Sequence, residues 1–206
     1  EFEMSAQQKQ NSSIKEEVPE LFFTPDLMGY GWVFRKGDYL NIGLGREDKN
    51  KLSGHVKDFC DYLSAEGKIP SDITAKYSGH AYLLYNHAVR EMVADHVLLI
   101  GDSAGLAYPQ SGEGIRPAVE SAVLAADVIR CCEGDFSKNK LQVYNDLMEQ
   151  RFGQRLPAPD VMERLPMFVK RFFAKQLMKT QWFTKNVVTD KWFLQSHQSP
   201  LPVINE

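Results

Sequence analysis

The chain is poor in cysteine and has no long hydrophobic run. It carries three cysteines, Cys60, Cys131 and Cys132, and none of them forms a C-x-x-C pair. This spacing argues against a disulfide framework and a zinc-ribbon site, and it is typical of free thiols in a reducing compartment. No apolar run is long enough to span a bilayer, so we expect a cytoplasmic protein.

The sequence also lacks a large excess of charge of one sign. It has 24 Lys and Arg against 27 Asp and Glu, for a net charge of -3, and it is 43% hydrophobic. This is the composition of an ordinary soluble globular protein, and it gives no reason to expect a nucleic acid partner. His80 and His87 have no cysteine or carboxylate at metal-ligand spacing, so we assign neither a role and predict no metal site.

Strand patterns come first along the chain and helical patterns come last, which predicts an α+β fold. Aromatic and β-branched residues on both sides of Lys36-Gly37-Asp38 predict a hairpin over residues 31–44. Apolar residues at helical spacing predict a helix over residues 51–66. The other predicted elements are a loop over residues 7–17, strands within 73–85, a short buried strand at 97–100, and helices from residue 113 onward, over 138–152, over 161–179 and over 182–190.

The stretch 97-VLLIGDSAGLAYPQSGEGIRPAVESAVLAADVI-129 carries the main chemical signal. Its strand runs into Gly101-Asp102, which places a carboxylate at the carboxyl end of a sheet, where open α/β sheets bind ligands. Pro109 stiffens the following loop, and Gly112 and Gly114 leave the backbone open to a flat ligand. The helix that starts near Glu113 offers unpaired amides and the positive end of its dipole.

This order of features resembles the second half of the FAD site in the flavoprotein monooxygenase and geranylgeranyl reductase superfamily. That half reads as a strand, G-D-A-A-G, a loop with a proline, G-E-G-I and a helix of small residues. The resemblance implies FAD as the cofactor, with Asp102 at the ribityl chain. It also implies that the flavin ring faces the segment from Gly112 to Ile115. The full set of implied cofactor residues is Gly101, Asp102, Pro109, Gly112, Glu113, Gly114 and Ile115. From the residues alone, a strand-turn-helix connection without a ligand stays open.

A second segment resembles the geranylgeranyl reductase family more narrowly. Residues 30–45, with the sequence YGWVFRKGDYLNIGLG, are similar to that family's Y-G-W-x-F-P-K-G-D…N-x-G-x-G segment, although Arg35 stands where the family usually has proline. The resemblance implies that Tyr30, Trp32 and Phe34 lie beside a cavity for the lipid substrate. The alternative is that these alternating aromatic residues pack in a core.

The family places the FAD pyrophosphate on a G-x-G-x-x-G motif, which this sequence lacks. The resemblance therefore implies the C-terminal portion of such an enzyme. It implies part of a substrate-binding sheet domain over residues 1–95, the last strand and helix of a Rossmann-like FAD domain over 96–134, and a helical region over 135–206. A fragment, a naturally short binding module and one chain of a split enzyme all stay open. By itself the chain is expected to be inactive.

The implied activity is the reduction of carbon-carbon double bonds in an isoprenoid substrate of the geranylgeranyl type. Reduced FAD would deliver the hydride, and reduced nicotinamide or ferredoxin would donate the electrons. A flavin-dependent monooxygenase or halogenase of the same superfamily is one alternative. A non-catalytic binding module is the other.

Aromatic and basic residues alternate in the C-terminal region. Leu165, Phe168, Val169, Phe172 and Phe173 share helical spacing with Lys170, Arg171, Lys175 and Lys179. A basic helix rich in aromatic residues can lie on an anionic membrane surface. The same pattern also fits a helix packed on its own domain or on a partner subunit, and both interpretations stay open.

Overall fold

The computed structural model describes residues 1–47, 51–73, 76–86, 90–155 and 166–201. The chain divides into two units, Glu1–Gly79 and His80–Glu206. The three-part division expected from the sequence, with boundaries after residues 95 and 134, stays a prediction.

The first unit is an antiparallel sheet backed by a helix. Its sheet has the strand order β1-β4-β3-β2. The elements are β1 (Phe2–Glu3), α1 (Ala6–Asn11), β2 (Glu20–Phe23), β3 (Gly29–Lys36), β4 (Tyr39–Arg46) and α2 (Leu52–Ala65). The predicted hairpin is confirmed, with Trp32 opposite Gly43 and Val33 opposite Ile42. Gly37 takes a positive φ of 58° in the turn, a conformation that costs glycine little.

One face of this sheet forms the core of the first unit. Because side chains alternate along a strand, Val33, Leu40 and Ile42 share the face that is buried in one apolar cluster with Phe59 and Leu63 of α2. Tyr30, Trp32 and Phe34 lie on the opposite face and are half-buried. The aromatic residues thus sit away from the core that holds the sheet to α2.

The second unit is mainly helical. Its elements are β5 (Val93–Ala94), β6 (Val97–Leu98), a 3₁₀ helix (Gly101–Ala104), α3 (Ile115–Cys131), α4 (Lys138–Leu141), α5 (Val143–Phe152), α6 (Met167–Leu177), α7 (Gln181–Phe183) and a π-helix (Thr184–Phe193). The core brings α3, α4 and α5 together around Leu106, Tyr144 and Met148. The fully buried Tyr144 donates a hydrogen bond to the carbonyl of Leu99 at 3.0 Å, which satisfies its hydroxyl.

Helices and antiparallel strands together confirm the predicted α+β class. The two short strands of the second unit also pair antiparallel, Val93 with Leu98 and Ala94 with Val97. The Rossmann-like character of residues 96–134 therefore stays a prediction. The helix predicted over 51–66 is confirmed within one residue at each end, and the helix predicted over 138–152 is interrupted at Gln142. Residues 161–165, where a further helix was expected to begin, lie outside the described part of the chain.

Three predicted elements were wrong. Residues 6–11 form a helix instead of a loop, because Ser5 and Gln8 make a reciprocal capping box. In the described part of 73–85 the structure shows one isolated bridge, between Leu84 and Ala107, instead of strands. The short strand predicted at 97–100 is limited to Val97 and Leu98 and is not buried, since Val97 is 46% exposed.

No described helix is long and apolar enough to cross a membrane. Over the same described residues, no group of three or more His, Cys, Asp or Glu side chains is placed to hold a metal ion.

Candidate functional site

Asp102 lies in the 3₁₀ helix that follows β6, and its position is set by the glycine before it. Gly101 adopts a positive φ of 53°, and its amide donates a hydrogen bond to Ser121 Oγ at 3.0 Å. A Cβ on Gly101 would approach Ala118 Cβ to 3.0 Å, so glycine permits this close approach to α3. The Asp102 side chain is 49% exposed and can therefore accept hydrogen bonds from a ligand.

The carboxylate of Asp102 has one side-chain partner that the sequence analysis did not identify. His80 Nε2 lies 3.3 Å from Asp102 Oδ2. The imidazole in turn lies beside the Tyr82 ring, with 5.7 Å between the ring centroids. His80 precedes Asp102 by 22 positions and belongs to no motif, so the pairing becomes visible in the fold and not in the sequence.

The start of α3 lies against the same carboxylate. Gly114 is the N-cap residue, and a Cβ built on it would lie 3.1 Å from Asp102 Oδ1. The first amides of a helix have no intrahelical partners and carry partial positive charge. Glu113 Oε1 accepts one of them, from Arg116, at 3.0 Å. Asp102 and the remaining amides of this helix end thus form one polar corner, with Ile115 strongly exposed at its edge.

Glu113 has a second oxygen with a different environment. Its Oε2 atom is buried and has no hydrogen-bond partner among the described residues. A buried acceptor without a donor is unfavourable. A ligand or a water that donates a hydrogen bond here would relieve that cost, which fits a place for Glu113 in a binding site.

Gly112 is shielded by a tyrosine. It takes a positive φ of 65°, and a Cβ on it would lie 2.5 Å from the hydroxyl oxygen of Tyr82. Its amide donates to the Tyr108 carbonyl at 2.7 Å, and the amide of Tyr108 donates to the Glu113 carbonyl at 3.0 Å, which closes the loop. A flat ring can therefore reach the backbone of Gly112 only after Tyr82 moves aside.

Pro109 lies on this closed loop but belongs to a separate cleft of about 210 Å³. Its lining combines amide side chains with aromatic and apolar residues and includes no charged residue among those described: Tyr85, Asn86, Leu106, Tyr108, Pro109, Gln110, Phe152, Gln195 and Gln198. The hydroxyl of Tyr108 lies 3.3 Å from Gln198 Oε1, and burial raises the pKa of Tyr108. Asp102 does not line this cleft, so the structure does not bring Pro109 and Asp102 into one pocket.

An arginine lies behind the 3₁₀ helix. Arg90 Nη1 donates a hydrogen bond to the carbonyl of Ser103 at 3.1 Å. This contact fixes the residue that follows Asp102. It also places a positive charge near a site that is expected to favour an anion.

In the first unit, the three aromatic residues of β3 share one face of the sheet. The Tyr30 and Trp32 rings lie 6.0 Å apart between centroids, and Phe23 of β2 lies 5.8 Å from Tyr30. The indole of Trp32 donates to Asn41 Oδ1 at 2.8 Å. The structure therefore brings Tyr30, Trp32 and Phe34 together as a half-buried aromatic surface with the polar group of Trp32 already satisfied.

Comparison with known proteins finds relatives that are named as reductases of geranylgeranyl compounds. No protein-family model matches the chain. Digeranylgeranylglycerophospholipid reductase 2 of Methanosphaera stadtmanae is 29% identical over 162 residues, which are 75% of this chain and 39% of that protein. Geranylgeranyl diphosphate reductase of Synechocystis sp. is 27% identical over 158 residues, 73% of this chain and 38% of that protein. Digeranylgeranylglycerophospholipid reductase of Methanosphaerula palustris is 34% identical over 122 residues, 57% of this chain and 30% of that protein.

A solved structure shows a similar fold. The crystal structure of a geranylgeranyl bacteriochlorophyll reductase-like protein from Thermoplasma acidophilum aligns over 81% of this chain and 40% of its own, with a TM-score of 0.55 and 22% identity. The resemblance to geranylgeranyl reductases predicted from the sequence is thus confirmed by relatives named as reductases. The chain spans 39% of the length of the first of these relatives.

Proposed function

We propose that this chain is the flavin-facing and substrate-facing portion of an FAD-dependent reductase that acts on carbon-carbon double bonds of an isoprenoid lipid. The observation that carries the proposal is the polar corner where Asp102 meets the N-terminus of α3. It contains four of the residues that the resemblance assigns to FAD: Asp102, Glu113, Gly114 and Ile115. The names of the relatives support the reductase class and the isoprenoid substrate.

The described residues fit a flavin in two respects. Asp102 is exposed enough to accept hydrogen bonds from the ribityl hydroxyls, and its pairing with His80 holds the carboxylate in place. The amides at the start of α3 favour negative charge, which would stabilise an anionic flavin ring near Gly114. The Tyr82 side chain must move away from Gly112 before the flavin ring can approach the backbone there. When bound, FAD would supply the hydride chemistry.

The aromatic face of β3 is proposed as the wall for the isoprenoid chain. Tyr30, Trp32 and Phe34 offer apolar surface on the side of the sheet that does not pack on α2. Such a wall suits a long unsaturated hydrocarbon. Reduced nicotinamide or ferredoxin is proposed as the electron donor. Because the proposed substrate is a lipid, the enzyme is proposed to act at the periphery of a membrane.

The test uses a fusion that supplies the part of a relative that this chain does not match. Residues 1–206 replace the matching segment of the Methanosphaera stadtmanae enzyme, and flavin binding is measured by equilibrium dialysis and visible absorption. Loss of hydrogen bonds to a charged acceptor is worth about 1.5–3 kcal/mol each, so Asp102→Ala should weaken FAD binding by roughly tenfold or more. Asp58→Ala removes an exposed carboxylate of α2 and serves as the control.

Three outcomes separate the candidate functions. Anaerobic reduction of a geranylgeranyl lipid by the fusion supports the proposal. Oxygen consumption without double-bond reduction would favour a monooxygenase. Folded fusion protein that binds no flavin would favour a binding module. Separately, equal FAD affinity in Asp102→Ala and Asp58→Ala would contradict the proposed role of Asp102.

A further inference from the structure

Helix α6 and the residues after it carry charge opposite to that of the whole chain. Between Met167 and Thr189 there are five basic residues and no Asp or Glu, whereas the chain has a net charge of -3. The basic residues are Lys170, Arg171, Lys175, Lys179 and Lys185. Within the described parts of the chain none of them takes part in a salt bridge. The segment is therefore a concentrated patch of uncompensated positive charge.

The same segment exposes large apolar side chains. Phe168 is 74% exposed, Phe172 is 60% exposed, and Trp182, in α7, is 69% exposed. Phe173 and Leu177 are also exposed. Water-exposed aromatic residues in such number on one short helix are unfavourable for a free surface and mark an interaction site.

The two kinds of residue occupy different sides of α6. At 100° per residue, Phe168, Phe172 and Phe173 fall with Leu177 within one half of the helix circumference. Lys170 and Arg171 project from the other half, and Lys175 borders the aromatic half next to Phe168. Lys179 follows the C-terminal end of the helix. An apolar stripe bordered by long cationic side chains is the pattern of a helix that lies in a membrane interface.

We propose that this aromatic-basic segment, comprising Phe168, Phe172, Phe173, Leu177, Trp182, Arg171, Lys175 and Lys179, docks through its aromatic side chains on the surface of an anionic phospholipid bilayer. The aromatic side chains would enter the headgroup boundary, and the cations would pair with lipid phosphates. This surface is where the proposed reductase would meet its lipid, so the inference rests in part on the proposed function. Docking itself requires neither flavin nor turnover.

Charge decides between a bilayer and a second copy of the chain. A symmetric dimer contact would bring the same surface of each copy together, so Arg171, Lys175 and Lys179 would face their own counterparts with no acidic residue from the segment Met167 to Thr189 between them. Like charges in contact are repulsive. A bilayer of anionic lipid supplies both the hydrocarbon for the aromatic residues and the negative charge for the cations.

The first test is co-sedimentation of the 206-residue chain with vesicles. We expect binding to vesicles of phosphatidylcholine with 30% phosphatidylglycerol to be at least about tenfold tighter than to pure phosphatidylcholine, and to weaken as salt increases. The triple variant Arg171→Gln/Lys175→Gln/Lys179→Gln should lose that preference. The control Lys15→Gln/Lys36→Gln/Lys140→Gln makes the same change in net charge at exposed positions elsewhere and should bind within about twofold of the wild type.

The aromatic contribution is tested separately. Phe168→Ser/Phe172→Ser should weaken vesicle binding by roughly tenfold or more, because each substitution removes an aromatic ring that would become buried in the lipid on docking. Ile129→Ser/Val143→Ser replaces two exposed apolar residues of α3 and α5 and is the matched control. Anionic vesicles should also shift the tryptophan emission to the blue. Trp182→Phe should abolish that shift, whereas Trp192→Phe, which changes a half-buried tryptophan packed on Phe183, should retain it.

Two results would overturn the proposal. One is equal binding of the two triple variants to anionic vesicles. The other is absence of vesicle binding together with self-association that disappears in Phe168→Ser/Phe172→Ser, which would identify a second copy as the occupant. Because vesicle binding is measured without flavin, failure of this docking surface and failure of the FAD site are separate results.

Discussion

At the scale of single residues, Glu120 organises the second unit. Its side chain is 9% exposed and accepts hydrogen bonds from Arg116 Nε and Arg151 Nε, both at 2.8 Å. The two arginines also donate to backbone carbonyls near the C-terminus, Arg116 to Leu194 at 3.0 Å and Arg151 to Ser199 at 2.7 Å. Glu120 thus ties α3 and α5 to the segment that lines the polar cleft.

Removal of this carboxylate should be costly. Glu120→Ala leaves two partly buried guanidinium groups without their anion, and loss of one partner of a buried ion pair costs about 3–5 kcal/mol. We expect urea denaturation to show a loss of about 3 kcal/mol in the free energy of unfolding of the second unit. Glu149→Ala, an exposed glutamate on α5, should change it by less than about 0.5 kcal/mol. Equal effects of the two substitutions would contradict a structural role for the cluster.

Residues of the candidate site differ in how visible they are in the sequence. Asp102 and Gly114 stand in a motif, in which a carboxylate follows a strand and a glycine leaves the backbone bare at the helix start. Their closeness is seen in the fold. His80 and Tyr82 could not be predicted, because they come from an irregular segment without periodicity and contact the motif through tertiary folding.

At the scale of elements, the hairpin and α2 could be predicted because their apolar spacing matches the period of the element. The short α1 was missed because its signal is a capping box and not an apolar face. Residues 97–100 read as a buried strand, since periodicity reports apolar residues and not what covers them. In the structure only Val97 and Leu98 are paired, Val97 and Ile100 are exposed, and Leu98 and Leu99 are partly buried against the core.

Glycines in β3 and β4 make room for aromatic rings. A Cβ on Gly31 would lie 2.5 Å from the ring of Phe59 in α2, and a Cβ on Gly43 would lie 2.0 Å from the ring of Trp32 on the paired strand. Aromatic side chains commonly cover glycines across strands in this way. Gly31 and Gly43 are therefore packing requirements of the sheet.

Two glycine substitutions should act in opposite directions. Gly31→Ala forces the sheet away from Phe59 and should lower the free energy of unfolding of the first unit by about 1–3 kcal/mol. Gly54→Ala, in α2 with no atom within 4 Å of the new Cβ, should raise it by about 0.5–1 kcal/mol through helix propensity. Thermal or urea denaturation checks both. Stabilisation by Gly31→Ala would show that the contact with Phe59 is not tight.

At the scale of the whole molecule, each unit has a carboxylate whose folded pKa is lowered. Asp26, in the first unit, receives two hydrogen bonds from Arg46 at 3.2 and 2.7 Å, which hold its pKa far below the usual value of 3.8. For Glu120, burial raises the pKa, but the hydrogen bonds from Arg151 and Arg116 outweigh it, and the net pKa lies below the usual 4.5. Both groups are thus more acidic in the folded chain than in the unfolded one.

This difference predicts a loss of stability in acid. A group with a lowered folded pKa contributes stability that is fully present above its unfolded pKa and is lost as the pH falls through the folded pKa. We therefore expect the free energy of unfolding to decline below about pH 4.5 for the second unit and below about pH 3.8 for the first. In urea titrations from about pH 6 to pH 3, Asp26→Asn should flatten the decline of the first unit and Glu120→Gln that of the second. Asp58→Asn and Glu149→Gln, at exposed positions, should leave both slopes as in the wild type, and identical slopes in all four variants would exclude these two ion pairs as the cause.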